Sequence, residues 1–333
     1  MNYEHNGYLV LPRLRVQNYN MISSPLTWGA PAITGVVGFM HALQRIIPHK
    51  WDIDLLSVGL IMHQFEPQVN GAFDRRFNLT RNPPVVLRNH RKDISRTGEV
   101  KVAAIVEEGR AHATISLVFG IYCGENAGNQ EKLQQRAREI FELAQGLRFV
   151  GGSFLPSYRT SPEPEILAFG GAENEADFMQ LGSGSDQEWS LRSLKNSLLP
   201  GFALLCRDDL LREHTQRLKL KDPKLSNLDA LLDLSRINYV YEQNDGDDAG
   251  EWVPSRKAGD GWLVPIPVGF TALSELYEPG MVKNARDPSV PFRFVESLYS
   301  LGEWRSPHRL ELVQDLLWLP VTDHAQGLYR CIN

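Results

Sequence analysis

The stretch Ala111-His112-Ala113-Thr114-Ile115-Ser116-Leu117-Val118-Phe119-Gly120-Ile121-Tyr122 decides how the rest of the chain is read. Ala111, Ala113, Ile115, Leu117 and Phe119 share one parity, while Arg110, His112, Thr114 and Ser116 share the other. Successive side chains of a strand point to opposite faces, so this period of two predicts a strand with one apolar and one polar side. Upstream of it, residues 55–65 read as a neighbouring strand. Residues 8–17 read as an earlier one, with Leu9, Leu11, Arg13 and Arg15 on one side and Val10, Leu14 and Val16 on the other. A loop over residues 18–31 follows, and then Ile33, Val36, Val37, Met40, Leu43 and Ile47 recur at the three- and four-residue spacing of an amphipathic helix that Pro48 ends. Downstream, Leu133, Ala137, Ile140, Phe141, Ala144 and Leu147 mark a second helix with Lys132, Arg136 and Arg138 outside, and residues 148–154 a last strand. The order β, α, β, β, α, β is the ferredoxin-like pattern. The predicted class is therefore α+β, with a ferredoxin-like domain over residues 1–156. One face of its sheet packs on two helices and the other is free for a ligand.

Residues 157–333 predict a mixed, partly helical α/β region packed on that domain. Residues 157–188 are rich in Pro, Gly, Ser and acids, the composition of an irregular stretch. Residues 189–199, 208–220 and 227–237 read as helices, the last capped by Ser226 or Asn227. Residues 261–271 read as an extended apolar segment and residues 307–319 as a late helix. Residues 242–251 carry five acids and no base, which predicts a solvated loop.

Composition narrows the chemistry. With 333 residues, 42% hydrophobic and 23% charged, the chain has the balance of an ordinary globular protein with a substantial core. No run reaches the ~20 apolar residues of a transmembrane helix, and Pro12 and Arg13 cut short the only apolar stretch near the start, so a cytoplasmic protein with no membrane partner is expected. Cys123, Cys206 and Cys331 are odd in number and far apart, and the nine histidines are scattered. Neither a disulfide framework nor a metal site is suggested, and no cofactor is expected. Asn78-Leu79-Thr80 matches a glycosylation sequon that has no meaning without secretion. A P-loop, a dinucleotide-binding glycine turn, an H-E-x-x-H pair and a nucleophile elbow are all absent.

What the chain does carry is a concentrated basic segment. From Arg75 to Arg96 the bases Arg75, Arg76, Arg81, Arg88, Arg91, Lys92 and Arg96 face one acid, Asp93, a local balance of 7 − 1 = +6 in a protein whose formal charge is −5. Such a contrast points at a polyanion, with a solvated loop contacting acidic protein partners as the alternative. Phe73 and Phe77 lie among the cations and are able to stack on bases, and Pro83-Pro84 stiffens the segment, which projects between the second and third strands as an arm. If all seven cations neutralised phosphates of a single strand, log affinity would fall against log salt with a slope of about −5. Arg13 and Arg15 on the first strand and Arg110 and His112 on the polar strand face are further candidates for RNA contact, and Trp28 in its Ser- and Pro-rich loop reads either as an aromatic that anchors the loop to the core or as a stacking platform. His112 beside Arg110 also has the residue types for acid–base cleavage of RNA. Trp304, Arg305, His308 and Arg309 form a second polar and aromatic cluster.

Several consecutive pieces resemble one family: Leu11-Pro12-Arg13-Leu14, Ile22-Ser23-Ser24-Pro25-Leu26-Thr27-Trp28-Gly29, Phe77-Asn78-Leu79-Thr80-Arg81-Asn82-Pro83 and Ala104-Ile105-Val106-Glu107-Glu108-Gly109-Arg110-Ala111-His112. Leu199-Pro200-Gly201-Phe202-Ala203, Gly261-Trp262-Leu263-Val264-Pro265-Ile266-Pro267, Gly302-Glu303-Trp304 and Ser306-Pro307-His308-Arg309 continue the match in the same order. The sequence is similar to the second Csy subunit of the CRISPR type I-F surveillance complex (Csy complex, a Cascade assembly), a Cas-five-type member of the RAMP superfamily. The resemblance implies a ferredoxin-like RAMP domain with a basic β-hairpin thumb at about residues 70–104, and a C-terminal region contacting partner subunits. It implies a non-catalytic, crRNA-binding ribonucleoprotein subunit in antiviral defence. That subunit holds the 5′ handle of the crRNA, pairs with the large Csy subunit, abuts the backbone Csy subunit and meets target DNA only indirectly. The thumb coincides with the basic arm. Under this reading the RNA-binding set is Arg13, Arg15, Ser23, Ser24, Trp28, Arg75, Arg76, Phe77, Arg81, Asn82, Arg88, Arg91, Lys92, Arg96, Arg110 and His112. A metal-independent endoribonuclease that processes repeat RNA is the rival activity, and a protein scaffold whose arm docks an acidic subunit is a third.

Overall fold

The computed structural model of the chain describes residues 5–71, 74–81, 105–125, 128–156, 162–169, 186–243, 250–254 and 261–333. The first half runs β1 (Gly7–Asn20), α1 (Ile33–Gln44), β2 (Ile53–Pro67), β3 (Arg110–Cys123), α2 (Gln130–Gln145) and β4 (Gly152–Leu155). These are the six elements expected from the period-two and period-3.6 patterns. In space their strands lie in the order β4-β1-β3-β2, every neighbouring pair antiparallel. The second half adds α3 (Asp186–Ser197), β5 (Phe202–Cys206), α4 (Asp208–Lys221), α5 (Asn227–Ser235), β6 (Trp262–Ala272), β7 (Val295–Arg305), β8 (Leu319–Asp323) and β9 (Leu328–Ile332). Among the described residues the fold is thus a mixed α+β one with five α-helices.

β5 pairs with the outer edge of β2 through Phe202↔Met62 and Ala203↔Ile61, and β7, β6, β9 and β8 follow outward. With Arg148–Phe149 beside β4 and Glu165–Ala168 on β1, the two halves share one sheet of 11 strands. The starts of α2 and α5 are written locally. Asn129 accepts a hydrogen bond from the Lys132 N–H, and Ser226 with Asp229 forms a capping box, the cap expected for α5.

The middle of the sheet is buried on both sides, which overturns the expectation of one wholly free face. Leu9, Leu11, Leu60, Leu117 and Phe119 pack under α1 and α2. Their neighbours of opposite parity, Tyr8, Val10, Ile61 and Val118, pack against Leu191, Leu194 and Leu198 of α3 and against Leu310, Val313 and Leu316. The covering pieces come from residues ~190 and ~310, far along the chain, so alternation within the strands gave no hint of them. The polar side of β3 persists only from Arg110 to Ser116, and from Leu117 to Ile121 every residue is buried. Residues 307–319 also differ from the expected helix. They form two 3-10 turns, Pro307–Arg309 and Val313–Leu316. The chain must then extend, because the Trp318 N–H and C=O exchange 2.9 Å hydrogen bonds with Val58 of β2, while the buried indole N–H donates to the Leu204 carbonyl at 2.8 Å.

β1 departs from simple alternation as well. Its register with β3 jumps between Leu11↔Leu117 and Leu14↔Ile115, and Arg13 takes φ +51°. Pro12 has no N–H for the ladder, so the strand bulges there. Leu14 and Val16 consequently join Leu9 and Leu11 in the same core, and Arg13 is looped out of the pattern.

Candidate nucleic-acid interface

Between the end of β2 and the start of β3 three short strands, Val69–Asn70, Arg76–Arg81 and Ile105–Glu108, form a small sheet separate from the main one. The last two pair from Asn78↔Glu108 to Arg81↔Ile105. Arg75 is exposed and has no polar partner among the described residues. Arg76 pairs with Asp74 at 2.6 Å with the two side chains 78% and 84% exposed, a contact worth little and readily exchanged for a stronger anion. The Arg81 backbone lies on the strand. Phe73, Asn82, Arg88, Arg91, Lys92 and Arg96 lie outside the described residues. Leu79, Ile105 and Val106 are exposed on the same strand pair. Phe77 is not a free stacking surface: it packs on the main core and meets the Trp28 ring edge-on at 5.5 Å, so it anchors the base of this extension.

The residue 18–31 segment is more ordered than a loop. Ile22–Ser24 and Thr27–Trp28 form a small hairpin, in which Ser24 Oγ accepts from the Leu26 N–H at 3.1 Å and Ser23 Oγ donates to the Thr27 carbonyl at 3.3 Å. Both hydroxyls therefore build the turn. Gly29 closes it at φ +121°, a value that favours glycine, and its carbonyl accepts from the Tyr19 hydroxyl at 2.6 Å. Burial pushes that hydroxyl's pKa up. Trp28 stays 46% exposed.

The cations of β1 and β3 are engaged with the protein. The Arg13 guanidinium donates to the Leu199 carbonyl, and burial lowers its pKa. Arg15 donates to the Pro156 carbonyl at 3.2 Å. Arg110 reaches the Asn18 carbonyl at 3.5 Å and lies 3.7 Å from Glu108. His112 is held at both nitrogens, Nδ1 accepting from the Asn18 N–H at 3.2 Å and Nε2 lying 2.8 Å from the Gln68 amide. A ring clamped this way has no open lone pair with which to take a proton from a 2′-hydroxyl. Sequence reasoning passed over a second histidine of the same sheet. His63 links the Pro200 carbonyl at 2.6 Å to the Ser116 hydroxyl at 2.7 Å, and burial lowers its pKa to about 4. Its one signal was the polar pair it makes with Ser116 across β2 and β3, visible only once the register is known.

Among the described residues no three His, Cys, Asp or Glu side chains converge as a metal site. Burial pushes the Cys123 and Cys331 thiols up to about 11, so neither is a ready thiolate nucleophile. Among the described residues no helix is long and apolar enough to cross a membrane.

What the fold and its exposed cations define is a class: an acidic α+β protein on one long antiparallel sheet, with a strand pair that carries exposed arginines extending between two of its central strands. Its sequence matches the profile of the CRISPR-associated protein family Cas_Csy2 over residues 9–331. It is also 43% identical to the CRISPR-associated protein Csy2 of Pseudomonas aeruginosa (strain UCBPP-PA14), across 97% of this chain and 94% of that protein. The chain belongs to the Csy2 family, the second Csy subunit of the type I-F CRISPR system.

Proposed function

We propose that this chain is a non-catalytic subunit of the type I-F Csy complex that grips the 5′ handle of the crRNA with its basic segment. The reading also has it pair with the large Csy subunit and abut the backbone subunit, meeting target DNA only through the assembly. The observation that carries the RNA reading is the extension between β2 and β3. Its strands present Arg75 without a polar partner and Arg76 in an exchangeable ion pair, next to a sequence segment with five further cations. The antiparallel order β4-β1-β3-β2 under two helices supports a ferredoxin-like RAMP domain, of which this extension would be the thumb. Binding is favoured over cleavage because His112, the one histidine beside Arg110, already has both ring nitrogens occupied.

An unpaired handle suits such a surface, since single strands expose phosphates and base edges that an RNA duplex hides. The test is charge reversal at Arg75, Arg76 and Arg81 together in the full-length chain. Binding to repeat-derived single-stranded RNA should be lost while the thermal midpoint is kept, because Arg75 and Arg76 contact solvent rather than the core. Unchanged affinity would refute the role of the arm. A specific metal-independent cut of repeat RNA, lost in His112→Ala, would favour the endoribonuclease instead.

A further inference from the structure

Five aromatic side chains gather around one cavity. Trp28, Phe65, Phe202 and Trp262 are 46%, 39%, 46% and 60% exposed, and with Trp304 they ring an open space of about 290 Å3. Five separate elements bring them there. Trp28 comes from the residue 22–28 hairpin, Phe65 from β2 and Phe202 from the start of β5, while Trp262 and Trp304 face each other across β6 and β7. The rings stand at angles, Phe202 to Trp262 at 6.2 Å and 77° and Trp262 to Trp304 at 6.4 Å and 50°, leaving faces open toward the cavity. Single exposed aromatics need no explanation, but a contiguous set around a concavity marks a binding site.

We propose that this cavity is a slot for one unpaired nucleobase of the strand whose phosphates the basic segment holds, an inference that rests on the function proposed above. Continuity argues for it: the Trp28 ring packs on Phe77, which sits directly after Arg75 and Arg76, so cations and aromatic faces adjoin. That pairing is how proteins hold single-stranded nucleic acid. Among the described residues no acidic side chain lines the cavity, as a site beside phosphates requires. Its volume sits at the small end of ligand pockets (about 300–1,000 Å3), room for one planar ring system. Gln64 supplies an edge contact, since its Oε1 accepts from the Thr114 hydroxyl at 3.2 Å and its amide N–H groups have no partner among the described residues.

The test uses the full chain and a labelled single-stranded RNA of the repeat-derived 5′ segment, together with a series in which each nucleotide in turn lacks its base. One abasic position should weaken binding by about tenfold to a hundredfold, the measured range for losing a stacked base. Trp262→Ala should weaken the intact RNA by a similar factor and be indifferent to that same position, whereas Trp262→Phe should retain most of the affinity. Since Trp262 is 60% exposed, its loss should not move the thermal midpoint. If RNA binds and arm variants abolish binding, yet no abasic position is coupled to Trp262, the slot is refuted and the arm stands. If the unaltered chain binds no RNA, both readings fail. If Trp262→Ala leaves RNA affinity untouched but releases another subunit from the assembled complex, the cavity is a protein contact and the nucleobase inference is overturned.

Discussion

Replacing Glu303 by Gln should cost this protein about 2–3 kcal/mol, because the carboxylate is the buried half of a three-way ion cluster. Glu303 is 5% exposed near the end of β7, opposite Leu205 of β5 and Leu263 of β6. Arg305 grips it with two bonds, Nε to Oε1 at 3.0 Å and a terminal nitrogen to Oε2 at 2.7 Å, and Arg207 reaches Oε2 from the other side. Removing one partner of a buried pair typically costs about 3–5 kcal/mol. Here the lower figure follows because Arg207 keeps its second carboxylate, Asp209, at 2.8 Å, and the two guanidiniums are 19% and 30% exposed. Urea unfolding at neutral pH should show the midpoint falling with an unchanged slope. A further check comes from acid. Burial works to raise the Glu303 pKa, but hydrogen bonds from Arg305 and Arg207 outweigh it and hold the carboxyl below its ordinary value of 4.5. A depressed folded-state pKa means the stabilisation is complete above the ordinary carboxylate range and is lost as pH falls through that range toward the folded value. The native protein should therefore weaken more steeply than Glu303→Gln in that window. A loss under about 1 kcal/mol, or equal acid slopes, would show that the cluster contributes no net stability, as some buried ion pairs do not.

Three other outcomes are expected. His63, with its pKa lowered from 6.5 to about 4 by burial, should make stability fall as pH drops from about 6.5 to about 4, by up to about 3 kcal/mol, and His63→Gln should flatten that part of the urea midpoint profile; an equally steep variant would remove His63 as the cause. Neutralising Arg75, Arg76 and Arg81 to Gln should reduce the salt slope of RNA binding from about −5 to about −3, read by titration at several salt concentrations, and an unchanged slope would mean that these three touch no phosphate. Gly269→Ala places a methyl 2.0 Å from the Tyr329 carbonyl oxygen where β6 meets β9, a backbone clash that should cost about 1–3 kcal/mol in thermal or urea unfolding.

The local content of the chain was legible in the sequence. The strand at residues 55–65, the period-two run at 111–122, the apolar stripes of α1 and α2 and the Ser226 cap of α5 all depend on neighbours within a few residues, and each is found in the fold. So does the charge contrast of residues 75–96, which needs no folding to be counted. Alternation failed where it met Pro12, because a residue without an N–H breaks the ladder and shifts Leu14 and Val16 onto the face of Leu9 and Leu11, until a second irregularity before Tyr19 shifts the register again. It was silent on the C-terminal strands β7, β8 and β9, whose apolar residues are interrupted by charges that pair in three dimensions, as Glu303 does.

Long-range pairing decided the rest. That β5 docks on β2, that α3 and residues 310–317 cover a face that looked open, and that both ring nitrogens of His112 are used up by Asn18 and Gln68 are outcomes of contacts between residues tens to hundreds of positions apart. The same is true of Trp28, Phe202, Trp262 and Trp304, which stand far apart along the chain and share a cavity only because one antiparallel sheet brings their strands into adjacent rows. Sequence order carries periodicity, charge and capping, since those are set within a turn or a strand; which faces are left exposed is settled by what packs on them, and that is known only when the chain has closed on itself.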